Sequence, residues 1–328
     1  MVLQRRREQR RLLIEEESQV GEARRDAQRL AMAYGLDATQ TGRVAIAATE
    51  LATNLYRHGS GGEMLLQPLR SGDKESIELL AIDKGRGMSD VSRCLGDGYS
   101  TGGTAGTGLG AVRRLSAEFD IHSVPGQGTV VMSRVGPGAA ARFGAISLAV
   151  SGETECGDGW ALAENSDFMS LMLVDGLGHG ALAAAAAECA QRAFAEAPDD
   201  TPQTLLQRAH RALTGTRGAA AAVARLGANG SLSYAGVGNI TGYLVGQQQS
   251  QGLVSHNGTL GLTVPRLQQF EYARSEHSCL VMHSDGLSAR WDLRKDEVLR
   301  QRHPAVIAAV LYRDHARARD DATVVVLN

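Results

Sequence analysis

The chain has 328 residues, 43% hydrophobic and 21% charged, with a formal net charge of −2. That length is about twice the ~150-residue prior for one domain, so two domains are expected, each long enough to bury its own core. The near-neutral charge excludes the electrostatic footprint of a nucleic-acid binder or a polybasic membrane binder, and no apolar run reaches the ~18 residues of a membrane span. Cys94, Cys156, Cys189 and Cys279 lie far apart and form no C-x-x-C pair, so they read as reduced thiols. With no secretory signal pattern at the N-terminus, a cytoplasmic location is the expectation.

Along the chain, the basic run at 5–11 reads as a solvated helix or frayed end rather than as a grip on an acidic surface. An edge strand is predicted within 12–20, a helix over 22–34 closed by Gly35, and a second helix over 37–58. In the second helix Val44, Ile46, Ala47, Leu51 and Leu55 form an apolar face, whereas Glu50 and Asn54, four apart, share another. Strands follow at 64–68 and 77–83, then a glycine-rich stretch to Gly110, a helix over 111–119 and a strand over 128–135. The aperiodic 136–142 reads as a linker between domains at 1–135 and 143–328. Beyond it, strands are predicted at 145–150, 170–174, 219–226, 231–237, 242–245, 279–283 and 323–327, and helices at 181–195, 202–213 and 304–318. Many strands with few helices indicate a layered α+β core.

Four elements of the first half carry chemistry together: Glu50-Leu51-Ala52-Thr53-Asn54 on a helix, Asp83-Lys84-Gly85-Arg86-Gly87 after a strand, Gly106-Thr107-Gly108-Leu109-Gly110 opening a helix, and Gly126-Gln127-Gly128-Thr129 before a strand. A G-x-G-x-G before a helix suits a phosphate cradle and a tight helix start equally, and a lone D-x-G-x-G reads first as a turn. In this order and spacing the set resembles the GHKL ATPase superfamily, specifically the anti-sigma and switch serine kinases, with 48–56 and 109–121 closest to the RsbT-like branch. The resemblance implies a Bergerat-type α/β sandwich binding ATP and Mg²⁺. Asn54 would ligate the Mg²⁺ and Asp83 would read the adenine amino group. Gly85, Gly87, Gly106, Thr107, Gly108, Leu109, Gly110 and Thr129 would line the nucleotide, with Glu50 as general base. The short Gly/Ser/Thr-rich segment before Gly106 is expected to be a lid.

The second half carries four separated acidic motifs: Gly157-Asp158-Gly159, Asp175-Gly176-Leu177-Gly178-His179-Gly180, Ser284-Asp285-Gly286 and Asp320-Asp321-Ala322-Thr323. Aspartates at strand ends offer hard oxygen donors, which suit Mg²⁺ or Mn²⁺ rather than zinc. Together with Arg217-Gly218-Ala219-Ala220 and Gly236-Val237-Gly238-Asn239 they resemble the PPM, or 2C-type, serine/threonine phosphatases in their SpoIIE and RsbX-like branch. The resemblance implies an αββα sandwich with two Mn²⁺ or Mg²⁺ ions held by Asp158, Asp175, Asp285, Asp320 and the Gly176 carbonyl, and a metal-bridging water as nucleophile. His179 fits a structural role better than proton donation to the leaving serine; the role of Asp321 stays open between ligand and support.

Together these resemblances imply one chain that phosphorylates and dephosphorylates serine or threonine on STAS-domain anti-sigma antagonists or stressosome proteins, with a sigma factor or downstream switch protein as a further partner. The alternative keeps only the phosphatase as an enzyme and makes the first half an ATP-gated module that sequesters a sigma factor or switch partner. The carboxylate at Glu50 favours the kinase.

Overall fold

The computed structural model describes residues 1–96, 108–137, 142–275 and 278–328. The chain forms two compact units that interleave in sequence: Arg7–Ala141 with Ala305–Arg313, and Met1–Arg6 with Arg142–Pro304 and Asp314–Asn328.

In the nucleotide-motif unit, five antiparallel strands run in the order β2-β3-β4-β6-β5. They are β2 (Arg10–Ile14), β3 (Gly62–Ser71), β4 (Lys74–Ile82), β5 (Glu118–Val124) and β6 (Gly128–Val135). Helices α1 (Glu17–Ala33), α2 (Ala38–His58) and α4 (Gly108–Leu115) accompany them, with the single turn α3 (Val91–Cys94) between β4 and α4. Helix α2 starts where the Asp37 carboxylate accepts the Gln40 N–H at 2.7 Å. Its Val44, Ala47, Ala48, Leu51 and Leu55 enter a core with Met64, Leu66, Ile77, Leu79 and Val131 of the sheet. Burying each large side chain there contributes roughly 1.5–3 kcal/mol.

The alternate residues of β3 and β4 point to the opposite face, where Arg134 pairs with buried Glu78 at 2.6 Å and with Glu118 at 2.6 Å. Glu63 on this face accepts from Arg11 at 2.5 Å and from the hydroxyl of Tyr312 at 3.3 Å. Tyr312 belongs to α8 (Pro304–His315), whose residues from Ala305 to Tyr312 are all buried. The predicted helix over 111–119 ends instead at Leu115, and Glu118 begins β5, because Phe119, Ile121 and their neighbours pair with β6.

The second unit stacks two antiparallel sheets. One runs β1-β8-β9-β10-β11-β14, from β1 (Val2–Arg5), β8 (Asp158–Glu164), β9 (Phe168–Gly176), β10 (Ala219–Gly227), β11 (Ser231–Val237) and β14 (Phe270–Ala273). The other runs β13-β12-β15-β16-β7, from β7 (Phe143–Leu148), β12 (Thr241–Val245), β13 (Ser250–Gly252), β15 (Cys279–His283) and β16 (Ala322–Leu327). Helices α5 (Ala181–Glu196) and α6 (Pro202–Ala212) pack on the first sheet, joining Ala186, Ala190, Phe194, Leu205 and Leu206 to Ala161, Met172, Val174 and Val223. A short helix α7 (Glu297–Arg300) precedes α8.

The basic run at 5–11 is neither a helix nor a frayed end. Arg5 closes β1 against Ala161, Arg10 opens β2 against Leu66, and between them Arg6 donates to the Cys156 and Asp158 carbonyls while Arg7 pairs with Glu75 at 2.7 Å. Each of those two arginines finds fixed acceptors, and both ends of the run are held by strand pairing. Among the described residues, no helix is long and apolar enough to cross a membrane.

Candidate functional site

In the nucleotide-motif unit, α2 presents Glu50 and Asn54 toward the start of α4. A Cβ at Gly108 would lie 3.0 Å from Glu50 Oε2 and 3.8 Å from Asn54 Oδ1, so the bare backbone there lets the helix start approach both side chains. The Asn54 amide nitrogen is buried with no hydrogen-bond partner among the described residues. Such an orphan is rare among buried polar groups. Thr49 and Thr53 on the same helix instead bond back to the Ala45 and Thr49 carbonyls.

Asp83 follows β4 directly. Its Oδ1 accepts from the Gly85 N–H at 2.8 Å and the Thr129 N–H at 3.1 Å, and its own N–H donates to the Thr129 carbonyl at 2.9 Å. Burial raises its pKa, opposed by those two N–H donors and by Arg313. Both of those donors go to Oδ1, and nothing among the described residues donates to Oδ2. Gly128, at φ +90°, is required here, because any Cβ would overlap the Asp83 carbonyl. Gly87 abuts the Val124 carbonyl, a packing role, and Thr129 shares its hydroxyl with Ser123 at 2.8 Å. Leu109 packs on the core and Gly110 is buried. Gly106 and Thr107 lie outside the described residues.

The acidic motifs of the second unit meet at one end of its two sheets. Asp158 opens β8, and in the strand register it stands directly opposite Asp175 of β9. Like charges so placed, with Cβ atoms about 5 Å apart, repel. Burial and then Asp175 raise the Asp158 pKa well above the usual carboxylate range. Asp175 itself is pushed up to about 7 by burial, with Asp285 and Asp320 adding to it. Asp320 is raised by burial, and Asp285 adds to that.

The amide of Asn239 bridges this group, donating to Asp285 at 2.7 Å and to Asp175 at 3.4 Å, while Ser284 donates to Asp158 at 2.6 Å. Gly176 ends β9 and donates its N–H to the Gly157 carbonyl at 3.0 Å. Asp321, in contrast, spends both oxygens on the backbone, accepting from Val150 at 2.7 Å and from Gly157 at 2.6 Å. It fixes the loop that carries Asp158. His179 is exposed and pairs through Nδ1 with Glu153 at 2.7 Å.

Among the described residues, no three His, Cys, Asp or Glu side chains stand close enough to enclose a cation by themselves. The aspartates associate instead as neighbouring pairs, Asp158 with Asp175, Asp175 with Asp285 through Asn239, and Asp285 with Asp320. All their donors are hard oxygens, and their mutual repulsion is the condition that a divalent cation relieves, so the set fits Mg²⁺ or Mn²⁺.

That repulsion has a measurable consequence. Asp175 binds its proton more tightly folded, near 7, than unfolded, near ~3.9, so it favours the fold at low pH and that contribution is lost as pH rises through 7. In chelator, the second unit should therefore be less stable at pH 8 than at pH 5. Thermal unfolding should show a lower Tm at pH 8 than at pH 5, with Mn²⁺ restoring it. A chelated Tm that is flat across this range, or indifferent to Mn²⁺, contradicts the site.

One unit with the GHKL-type ATPase fold and one two-sheet unit with the 2C phosphatase fold define the class of protein. A family described as "Histidine kinase-like ATPase domain" matches residues 14–134, and one described as "Stage II sporulation protein E (SpoIIE)" matches residues 165–328. The chain belongs to both families, one in each half. Its first half is 32% identical over 111 residues to the serine/threonine-protein kinase RsbT of Bacillus subtilis (strain 168), covering 34% of this chain and 84% of that one. It is 30% identical over 109 residues to the anti-sigma F factor of Thermoanaerobacter sp. (strain X514), covering 31% of this chain and 75% of that one. A solved structure described as "The bacterial stressosome: a modular system that has been adapted to control secondary messenger signaling" is 28% identical, with a TM-score of 0.53, covering 57% of this chain and 98% of that one.

Proposed function

We propose that the chain is both a serine/threonine protein kinase and a metal-dependent phosphoserine/phosphothreonine phosphatase, acting on STAS-type regulators of an anti-sigma or stressosome partner-switching pathway. The relatives of the first half, a serine/threonine kinase and an anti-sigma factor, support the pathway class. The observation that carries the kinase reading is the convergence of Glu50 and the orphaned Asn54 amide on the first turn of α4.

In this reading the carbonyl oxygen of Asn54 holds the Mg²⁺ of Mg-ATP, and the Asp83 carboxylate accepts from the adenine amino group. The N–H groups that open α4 face the phosphates. Glu50, one helical turn from Asn54, accepts the hydroxyl proton of the substrate serine. In the second unit Asp158, Asp175, Asp285, Asp320 and the Gly176 carbonyl hold two cations. When bound, these supply an acidified water and charge neutralisation for the phosphoryl oxygens. Asn239 and Ser284 orient the carboxylates, and Asp321 holds the Asp158 loop in place.

Asn54→Ala is expected to weaken Mg-ATP binding at least about 10-fold, a loss of roughly 1.4 kcal/mol. Calorimetry on the folded variant checks this, and wild-type affinity would remove Asn54 from the site.

A further inference from the structure

We propose that nucleotide binding at Asp83 and cation binding at the aspartate centre are thermodynamically coupled through helix α8 and the residues that follow it. The inference rests on the two sites of the proposed function and adds their mutual regulation.

In sequence, α8 lies between Asp285 and Asp320, two residues of the acidic centre. Yet its residues Ala305–Arg313 pack as part of the unit formed by Arg7–Ala141. At its end, Arg313 donates to the carbonyl oxygen of Asp83 at 3.3 Å. Asp83 is the residue whose carboxylate is held by Gly85 and Thr129. The chain then passes at once into the acidic centre. The His315 carbonyl accepts from Ser288 at 2.9 Å, the Arg317 N–H donates to the Gly286 carbonyl at 2.7 Å, and the Arg317 guanidinium donates to the Asp285 carbonyl at 3.1 Å. Three residues, Asp314 to Ala316, therefore separate a side chain on the Asp83 carbonyl from one on the Asp285 carbonyl.

The helix itself is a stiff element. Every residue from Ala305 to Tyr312 is buried, and Tyr312 is anchored on Glu63. A close-packed helix moves as a body rather than absorbing a displacement. The N-terminus repeats the arrangement independently. Arg6 donates to the carbonyl oxygen of Asp158 at 3.0 Å, and the next residue, Arg7, is paired with Glu75 of the nucleotide-motif unit. Two covalent ties thus run from the nucleotide-motif unit to the main chain of two aspartates in the acidic centre. A ligand that shifts the backbone at Asp83 changes the preferred position of Arg313, and with it the loop leading to Asp285 and Asp320. By linkage the effect is reciprocal.

The test uses the full chain. Free Mn²⁺ for half-maximal hydrolysis of p-nitrophenyl phosphate is measured with and without a saturating non-hydrolysable ATP analogue. The affinity for a fluorescent form of that analogue in Mg²⁺ is then measured with and without added Mn²⁺. Asp175→Ala serves as the control for Mn²⁺ acting at the nucleotide itself. Coupling predicts a shift of at least about fivefold in both measurements, in the same direction. Arg313→Met should leave both ligands binding while shrinking the two shifts together, and Arg313→Lys should retain part of them. Binding of both ligands with no mutual shift in the wild-type chain overturns the coupling alone, as does an undiminished shift in a folded Arg313→Met. Failure of the analogue to bind overturns the nucleotide site and the coupling with it. If Arg313→Met does not fold, the presence or absence of the two wild-type shifts decides.

Discussion

Replacing Asp175 with Ala is expected to lower hydrolysis of a phosphoserine protein at least about 100-fold, beyond what losing a mere supporting group of a metal site costs. Asp175 adjoins the other members of the set: it faces Asp158 across the β8–β9 ladder and shares the Asn239 amide with Asp285. Asp320 also raises its pKa. Removing it takes an oxygen donor from the middle of the set. It also removes a repelling charge, so in chelator at pH 8 the variant should be at least as stable as the wild type. Inactivity could not then be ascribed to unfolding. ATP-dependent phosphorylation should persist, and phosphorylated substrate should accumulate. A folded Asp175→Ala chain with wild-type hydrolysis would remove the residue from the site.

Glu50→Gln is expected to lower phosphoryl transfer about 10²–10⁴-fold, the usual contribution of a positioned general base. The substitution keeps the shape beside Gly108 and leaves Asn54 and Asp83 untouched, so Mg-ATP affinity should be nearly unchanged. An amide does not take up the serine proton at neutral pH. A loss of turnover without loss of binding is the signature of an interaction made in the transition state. Were the first half a sequestering module instead, the wild-type chain would bind ATP and its partner and transfer nothing.

Several elements were legible in the sequence because a local pattern sufficed. The strands Ser231–Val237 and Cys279–His283 show as short runs bounded by turns, and α2 shows through its apolar face and the Asp37 cap. Strand β8 was not, because its opening Asp158-Gly159 carries the chemistry of a turn, and β1 was not, because four residues next to a basic run make no pattern. Strand β5 was absorbed into the tail of a helix, since Glu118-Phe119 continues the apolar spacing of α4 until pairing with β6 overrides it. The acidic motifs were visible as separate turns, whereas their meeting depends on strand register and on Asn239, Ser284 and Asp321. The contact of Arg313 with Asp83 spans 230 residues of sequence, and no local pattern encodes it.

The most direct test of opposed activities on one target is phosphate release from ATP in the presence of a candidate STAS protein and Mn²⁺. Wild-type chain should release inorganic phosphate continuously, as the substrate is phosphorylated and dephosphorylated in turn. Glu50→Gln and Asp175→Ala should each stop the release, and mixing the two variants should restore it through the diffusing substrate. Phosphate release that does not depend on the STAS protein, or that survives in either folded variant, would contradict the account.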